Sequence, residues 1–132
     1  MRRRNMLSFA VVLAFAASGL QAQDKGEIKR KMLTKQELAS MSGHEAVLSQ
    51  VEMAPGAAEG KHTHPGELLG FVEQGTLTLN VEGQPAATLK RGESFFVPAN
   101  TVHWGENHTK APVRVVATLI LEKGKPPSSA AK

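Results

Sequence analysis

Thr76-Leu77-Thr78-Leu79-Asn80-Val81 alternates polar and apolar side chains, and Glu82-Gly83 closes the run. A period of two is the signature of a strand with one face buried, so Leu77, Leu79 and Val81 are expected on a core. Glu82-Gly83 is the kind of pair that turns one strand back on another. Working outward, the pattern repeats. Residues 67–74 form an apolar-rich run ended by Gly75, and residues 46–53 form another, broken by Pro55-Gly56. On the other side, 86–90 ends at Arg91-Gly92 and 94–97 is closed by Pro98, with further strands expected at 102–106 and 113–121. In the last of these Val113, Val115, Ala117, Leu119 and Leu121 share one parity. Many short strands punctuated by Gly, Pro and Asn imply an all-β, antiparallel sandwich or barrel. Phe71, Phe95 and Phe96 are expected in its core.

One helix is expected ahead of the strands. Thr34-Lys35-Gln36-Glu37 fits a capping box, so a short helix from Lys35 to Met41, stopped by Gly43, follows. The chain then divides into a lead-in with this helix (23–43), a β-domain (44–122) and a tail (123–132). The tail, Gly124-Lys125-Pro126-Pro127-Ser128-Ser129, is too polar and proline-rich to pack a core and is expected to be mobile. With 132 residues and no Cys, the chain suits a single domain without disulfides or thiolate ligands, so any metal is held by nitrogen or oxygen.

Residues 1–22 read as a secretory signal. Arg2, Arg3 and Arg4 precede an apolar run from Met6 to Ala17, and Leu20-Gln21-Ala22 resembles a cleavage site. The apolar run is too short to cross a bilayer, which argues against a retained anchor. Arg3-Arg4-Asn5-Met6-Leu7 also resembles a twin-arginine export signal, with Met6 where phenylalanine is usual. The expected location is periplasmic or secreted, with no stable membrane anchor. Charge bears on partners too. The whole chain carries 16 Lys+Arg against 12 Asp+Glu, and cleavage removes three arginines and no acid. The mature chain is then nearly neutral, and there is no electrostatic case for nucleic acid.

The chemistry sits in two segments. His62 and His64 stand two apart on an extended stretch and so share a face, from which both imidazoles can reach one ion at about 2.0–2.2 Å. His103 follows the rigid turn Pro98-Ala99-Asn100-Thr101, and Asn107 comes four residues later, placed to hold a loop through its amide. By parity Trp104 faces away from His103. His44 and His108 lie near turns and read as solvated; Glu45, Glu52 and Glu59 read as surface charges.

Together these segments resemble the paired motifs of the cupin superfamily. The first runs from Gly56 through His62-Thr63-His64 to Gly75; the second contains Gly92, Pro98, Asn100, His103 and Asn107. The resemblance covers about residues 45–121. It implies a jelly-roll barrel holding one divalent metal ion (iron, manganese, nickel or zinc), with His62, His64 and His103 as ligands. Asn100 stands where glycine is usual and tolerates the left-handed conformation that the turn needs. The family's glutamate position is occupied by Leu68, one residue after Glu67. Three arrangements remain open. In the preferred one, three histidines act without a carboxylate. In the second, a bulge after Pro65-Gly66 shifts the phase and lets Glu67 bind. In the third, the site no longer holds metal. The resemblance further implies a metal-dependent, dioxygenase-like enzyme acting on a small oxygen-bearing molecule, or a non-catalytic periplasmic binder of a small ligand. Small cupins often pair through sheet edges, so a homodimer is an expectation as well.

Overall fold

The computed structural model of the chain describes residues 23–132; the expected signal segment, 1–22, lies outside the described residues. In chain order the strands are β1 (Ile28–Glu37), β2 (His44–Met53), β3 (His62–Thr63), β4 (Glu67–Gln74), β5 (Thr76–Val81), β6 (Ala87–Lys90), β7 (Ser94–Val97), β8 (His103–Glu106), β9 (Val113–Glu122) and β10 (Ser129–Ala130). They form two five-stranded antiparallel sheets, ordered β1-β2-β9-β4-β7 and β10-β3-β8-β5-β6. The two sheets and the family motifs fit a jelly roll.

The expected strands from 46 to 121 match closely, and β4 and β5 show the alternating burial behind the match. In β4, Leu68 and Val72 are buried while Glu67, Leu69 and Phe71 are exposed. In β5, Leu77 and Leu79 are buried. These residues meet Met53, Ala57, Val97, Val113 and Val115 in one cluster between the sheets. Burying a side chain of this size contributes roughly 1.5–3 kcal/mol. Of the three phenylalanines expected inside, only Phe95 packs against the core. Phe71 and Phe96 lie on the outer surface of the first sheet, exposed by 45% and 56%. Phe95 crosses Gly70, where an added Cβ would fall 2.0 Å from its ring. Glycine at 70 is therefore the space into which Phe95 turns inward.

The expected helix is not formed. Residues 28–37 are extended and pair with β2 from Ile28↔Met53 to Glu37↔Glu45, with a bulge between Met32 and Thr34. The chain then turns, Leu38 N–H donating to the His44 carbonyl, and Gly43 serves that turn at φ +77°. A helix of this length would carry its full nucleation cost alone in water. The extended form instead gains a ladder with β2 along nearly its whole length and covers the edge of that strand.

The tail carries a short strand that the sequence did not mark. Ser129 pairs with Thr63 and Ala130 with His62, so residues 129–130 form the edge strand of the second sheet. Ala131 N–H adds a bond of 2.9 Å to the Lys61 carbonyl.

Asn107 fastens the loops after β2 and β8. Its Nδ2 donates to the carbonyls of Met53 (3.1 Å), Ala54 (3.2 Å) and Ala111 (2.8 Å). Its Oδ1 accepts from Thr109 N–H and Oγ1. The side chain is buried, so these bonds are what make an amide tolerable there.

Candidate metal centre

Two of the three histidines face each other across a strand pair. His62 opens β3, His103 opens β8, and the two are register partners. Both are buried, and their ring centroids lie 4.4 Å apart. His64 follows β3 and returns to the same side, its ring 4.8 Å from His62 and 4.9 Å from His103. One ring nitrogen from each lies within 4.8 Å of the other two. Two residues apart on extended backbone is what brings His62 and His64 to one face; the β3–β8 register brings His103 opposite.

The turn before β8 sets that register. Asn100 adopts φ 58°, and its N–H donates to the His64 carbonyl at 2.7 Å. The left-handed conformation that Asn100 was expected to tolerate is present, and it bonds the second segment directly to a histidine of the first.

Each imidazole is oriented through Nδ1. His62 Nδ1 lies 2.7 Å from the Gly60 carbonyl, His103 Nδ1 2.9 Å from the Thr101 carbonyl and His64 Nδ1 2.7 Å from the Pro127 carbonyl. A carbonyl only accepts, so Nδ1 carries the proton and Nε2 presents its lone pair. Burial pushes the His64 imidazole down from 6.5 to about 4; the Pro127 carbonyl opposes this, and the charges of His62, His103 and Arg30 add to it. Burial likewise lowers His103, against the pull of the Thr101 carbonyl. These two rings are neutral at ordinary pH, the state in which imidazole ligates. His103 Nε2 is buried without a hydrogen-bond partner among the described residues. A buried orphan acceptor is costly, and a cation would satisfy it. The three histidines fit a metal ion in donor type, tautomer and desolvation.

The rings open into a cavity of about 410 Å³. Its opposite wall is apolar: Leu68, Phe95, Val115, Ala117 and Leu119. Asp24, Arg30 and Glu59 also line it. Arg30 bonds Asp24 Oδ2 at 2.6 Å and Glu59 Oε1 at 3.2 Å, and Glu59 Oε2 accepts from Gly105 N–H at 2.9 Å. Desolvation opposes ionisation of Asp24, but the hydrogen bonds from Arg30 and the Gly60 amide prevail and hold its pKa below the usual carboxylate value.

Residues 49–119, more than half of the chain, match the family model described as Cupin domain. The chain belongs to the cupin family. A germin-like protein of Arabidopsis thaliana (subfamily 2 member 1) is 33% identical over 77 residues. That match covers 54% of this cupin and 35% of the relative, so the chain spans about a third of that protein's length. Among solved structures, a cupin-like protein from Thermotoga maritima superposes with a TM-score of 0.66 at 25% identity, covering 82% of this chain and 78% of that one. A polyketide cyclase from Streptomyces resistomycificus gives 0.67 at 19% identity, covering 85% and 75%. The latter likeness is one of fold.

Against that family pattern, the glutamate position is apolar here. Leu68 faces the cavity, while Glu67 is exposed on the other side of β4 and stands outside the histidine cluster. The pairing of β4 with β9 is unbroken from Glu67 to Val72, so no bulge turns Glu67 inward. Asp24, Arg30 and Glu59 were not marked by the sequence. Glu59 reads as a surface charge, and its partner Arg30 is 29 residues away on a segment read as lead-in. Glu45, also read as a surface charge, is buried beside Lys35. Trp104 is half-buried away from the cup, with Lys61 Nζ over its ring at 4.9 Å. Among the described residues no helix is long and apolar enough to cross a membrane.

Proposed function

We propose that this cupin is an exported metalloprotein that binds a divalent ion through His62, His64 and His103 and oxidises a small oxygen-bearing molecule in the cup, with dioxygen as the oxidant that takes up the electrons. The observation that carries the metal assignment is the set of three Nδ1–carbonyl bonds, which turn three Nε2 lone pairs to one place and leave that of His103 buried and unpartnered. When bound, a divalent ion on neutral imidazoles keeps its full charge and has positions left for a small oxygen ligand. The chain's own residues then confine that ligand. Leu68, Phe95, Val115 and Leu119 exclude water from one side, and Arg30 supplies a positive charge at the rim, tied to Asp24 and Glu59. Export rests on the composition of residues 1–22.

The preference for oxidation over proton-transfer chemistry follows from the cup's carboxylates. Asp24 is held by Arg30 and the Gly60 amide, and Glu59 by Arg30 and the Gly105 amide. Neither is free as a general base. The same observation favours a second reading, in which the cup captures a small ligand without turning it over.

The test is metal content of the untagged, purified chain beside a His62→Ala, His103→Ala variant, by mass spectrometry for several metals. Near-stoichiometric metal, lost in the variant, is expected. Oxygen consumption in a screen of small hydroxy and keto acids then separates enzyme from binder. Equal, negligible metal in both chains after reloading overturns the metal assignment.

A further inference from the structure

Two of the three histidines are oriented by their own backbone. His62 bonds the carbonyl two residues before it, Gly60, and His103 does the same with Thr101. His44, at the start of β2 and far from the cup, makes the identical bond to Ser42 at 3.1 Å. The arrangement is therefore a local habit of a histidine that opens a strand. His64 does not open a strand; it leaves β3, and its Nδ1 partner is 63 residues away, the carbonyl of Pro127.

We infer that residues 124–131 are a strap that completes the metal centre: by docking on β3, they place the Pro127 carbonyl against His64 and fix the tautomer and aim of the third ligand. The inference rests on the three-histidine reading above. Three observations carry it. The strap is registered on the segment that bears the ligands, Ala130 opposite His62 and Ser129 opposite Thr63. Pro127 and Ser128 line the cup, so the strap is one of its walls. Pro126 and Pro127 have fixed φ and no N–H, which presents the Pro127 carbonyl with little chain entropy to lose.

The strap is also the weakest attachment in the site. Beyond the His64 bond it is held by two register pairs, the Ala131 N–H to Lys61 bond, and an exposed Lys125–Glu122 ion pair. Its residues are mostly exposed. Few buried contacts mean a low free energy of local opening. Opening would release His64 to either tautomer, while a bound ion, which requires His64 Nε2, would favour the docked strap by linkage. Strap docking and ion binding thus stabilise each other.

The test compares the whole chain with a chain ending at Lys123, and with an Ala131→Pro chain that loses the bond to Lys61 but keeps every residue of the cup. Long-range proton–nitrogen NMR of the metal-free proteins reads each imidazole tautomer. All three rings are expected as Nδ1–H in the whole chain; in both variants His64 alone becomes a mixture, with His62 and His103 unchanged. Zinc and cobalt affinities, measured against a chromophoric chelator, are expected to fall about ten- to a hundredfold, the usual cost of losing a partner that orients a ligand. The cobalt absorption spectrum should shift at saturation. His64 remaining pure Nδ1–H in both variants, with unchanged affinity, overturns the strap. A whole chain that binds no metal but shows the selective His64 change overturns the metal reading and leaves the strap standing. If the shortened chain fails to fold, the Ala131→Pro chain gives the same decision.

Discussion

The two sheets divide the labour of the cup unequally. The first has long strands, three of them ten residues, and supplies most of the apolar lining, Val51 and Met53 from β2, Leu68 from β4, Val115 and Leu119 from β9, with Leu77 and Leu79 of β5 added from the second sheet. The second has short strands and carries His62 and His103, with His64 in the residue that follows β3. Long ladders fix a surface through many cooperative backbone bonds. Short strands leave carbonyls near their ends unspent, and the Gly60, Thr101 and Pro127 carbonyls are those that hold the rings. The longer ladders and most of the apolar lining thus lie on one wall, and the imidazoles on the other.

The strongest challenge to this division is a truncation on the apolar wall. Met53 is 1% exposed, and Met53→Ala should cost about 2–5 kcal/mol in urea unfolding while leaving zinc affinity within a factor of about two. A large loss of zinc affinity in a chain still folded would show that the walls are not separable. Acidification should act on the chemical wall. The folded pKa of His64, about 4, lies below its unfolded value near 6.5, so the unfolded chain binds more protons between them. The metal-free protein is then expected to hold full stability above pH 6.5 and lose it progressively down to pH 4, with His103 contributing in the same direction. Melting temperature against pH checks the sign; a rise on acidification would contradict the buried neutral rings. A smaller effect is expected from His103→Leu in the metal-free chain. Removing an unpartnered buried acceptor should raise stability by about 1 kcal/mol even as metal binding is lost. Least of all, Lys61→Ala removes a cation from the Trp104 face outside the cup and should cost about 0.5–1 kcal/mol, with no change at the metal.

The same division explains what the sequence revealed. Strands that bury one face announce themselves by alternation, so β4, β5 and β7 fall where the sequence places them. β1 buries almost nothing, and its structure is imposed by β2. Its Thr34 and Glu37 carried a valid local signal for a helix, which a ladder with a partner overrode. Within the cup, extended geometry made His62 and His64 legible as a pair on one face, and His103 joined them through the resemblance to the cupin motifs. Arg30 with Glu59, and Pro127 with His64, were not, since each pair is made by segments far apart in the chain. Leu68 was legible as a departure, and β4 keeps one phase from Glu67 to Val72, with Leu68 buried and Glu67 exposed.

Asn107 carries an implication for how the molecule comes apart. One amide nitrogen is shared by carbonyls on both sides of the β2 exit and by Ala111 just before β9. Those segments are tied through one side chain, so an opening that displaces Asn107 releases all of them together. In hydrogen exchange the Gly56 and Thr109 amides should report a single opening event, the knot at this end slipping all at once while the histidine end breathes separately.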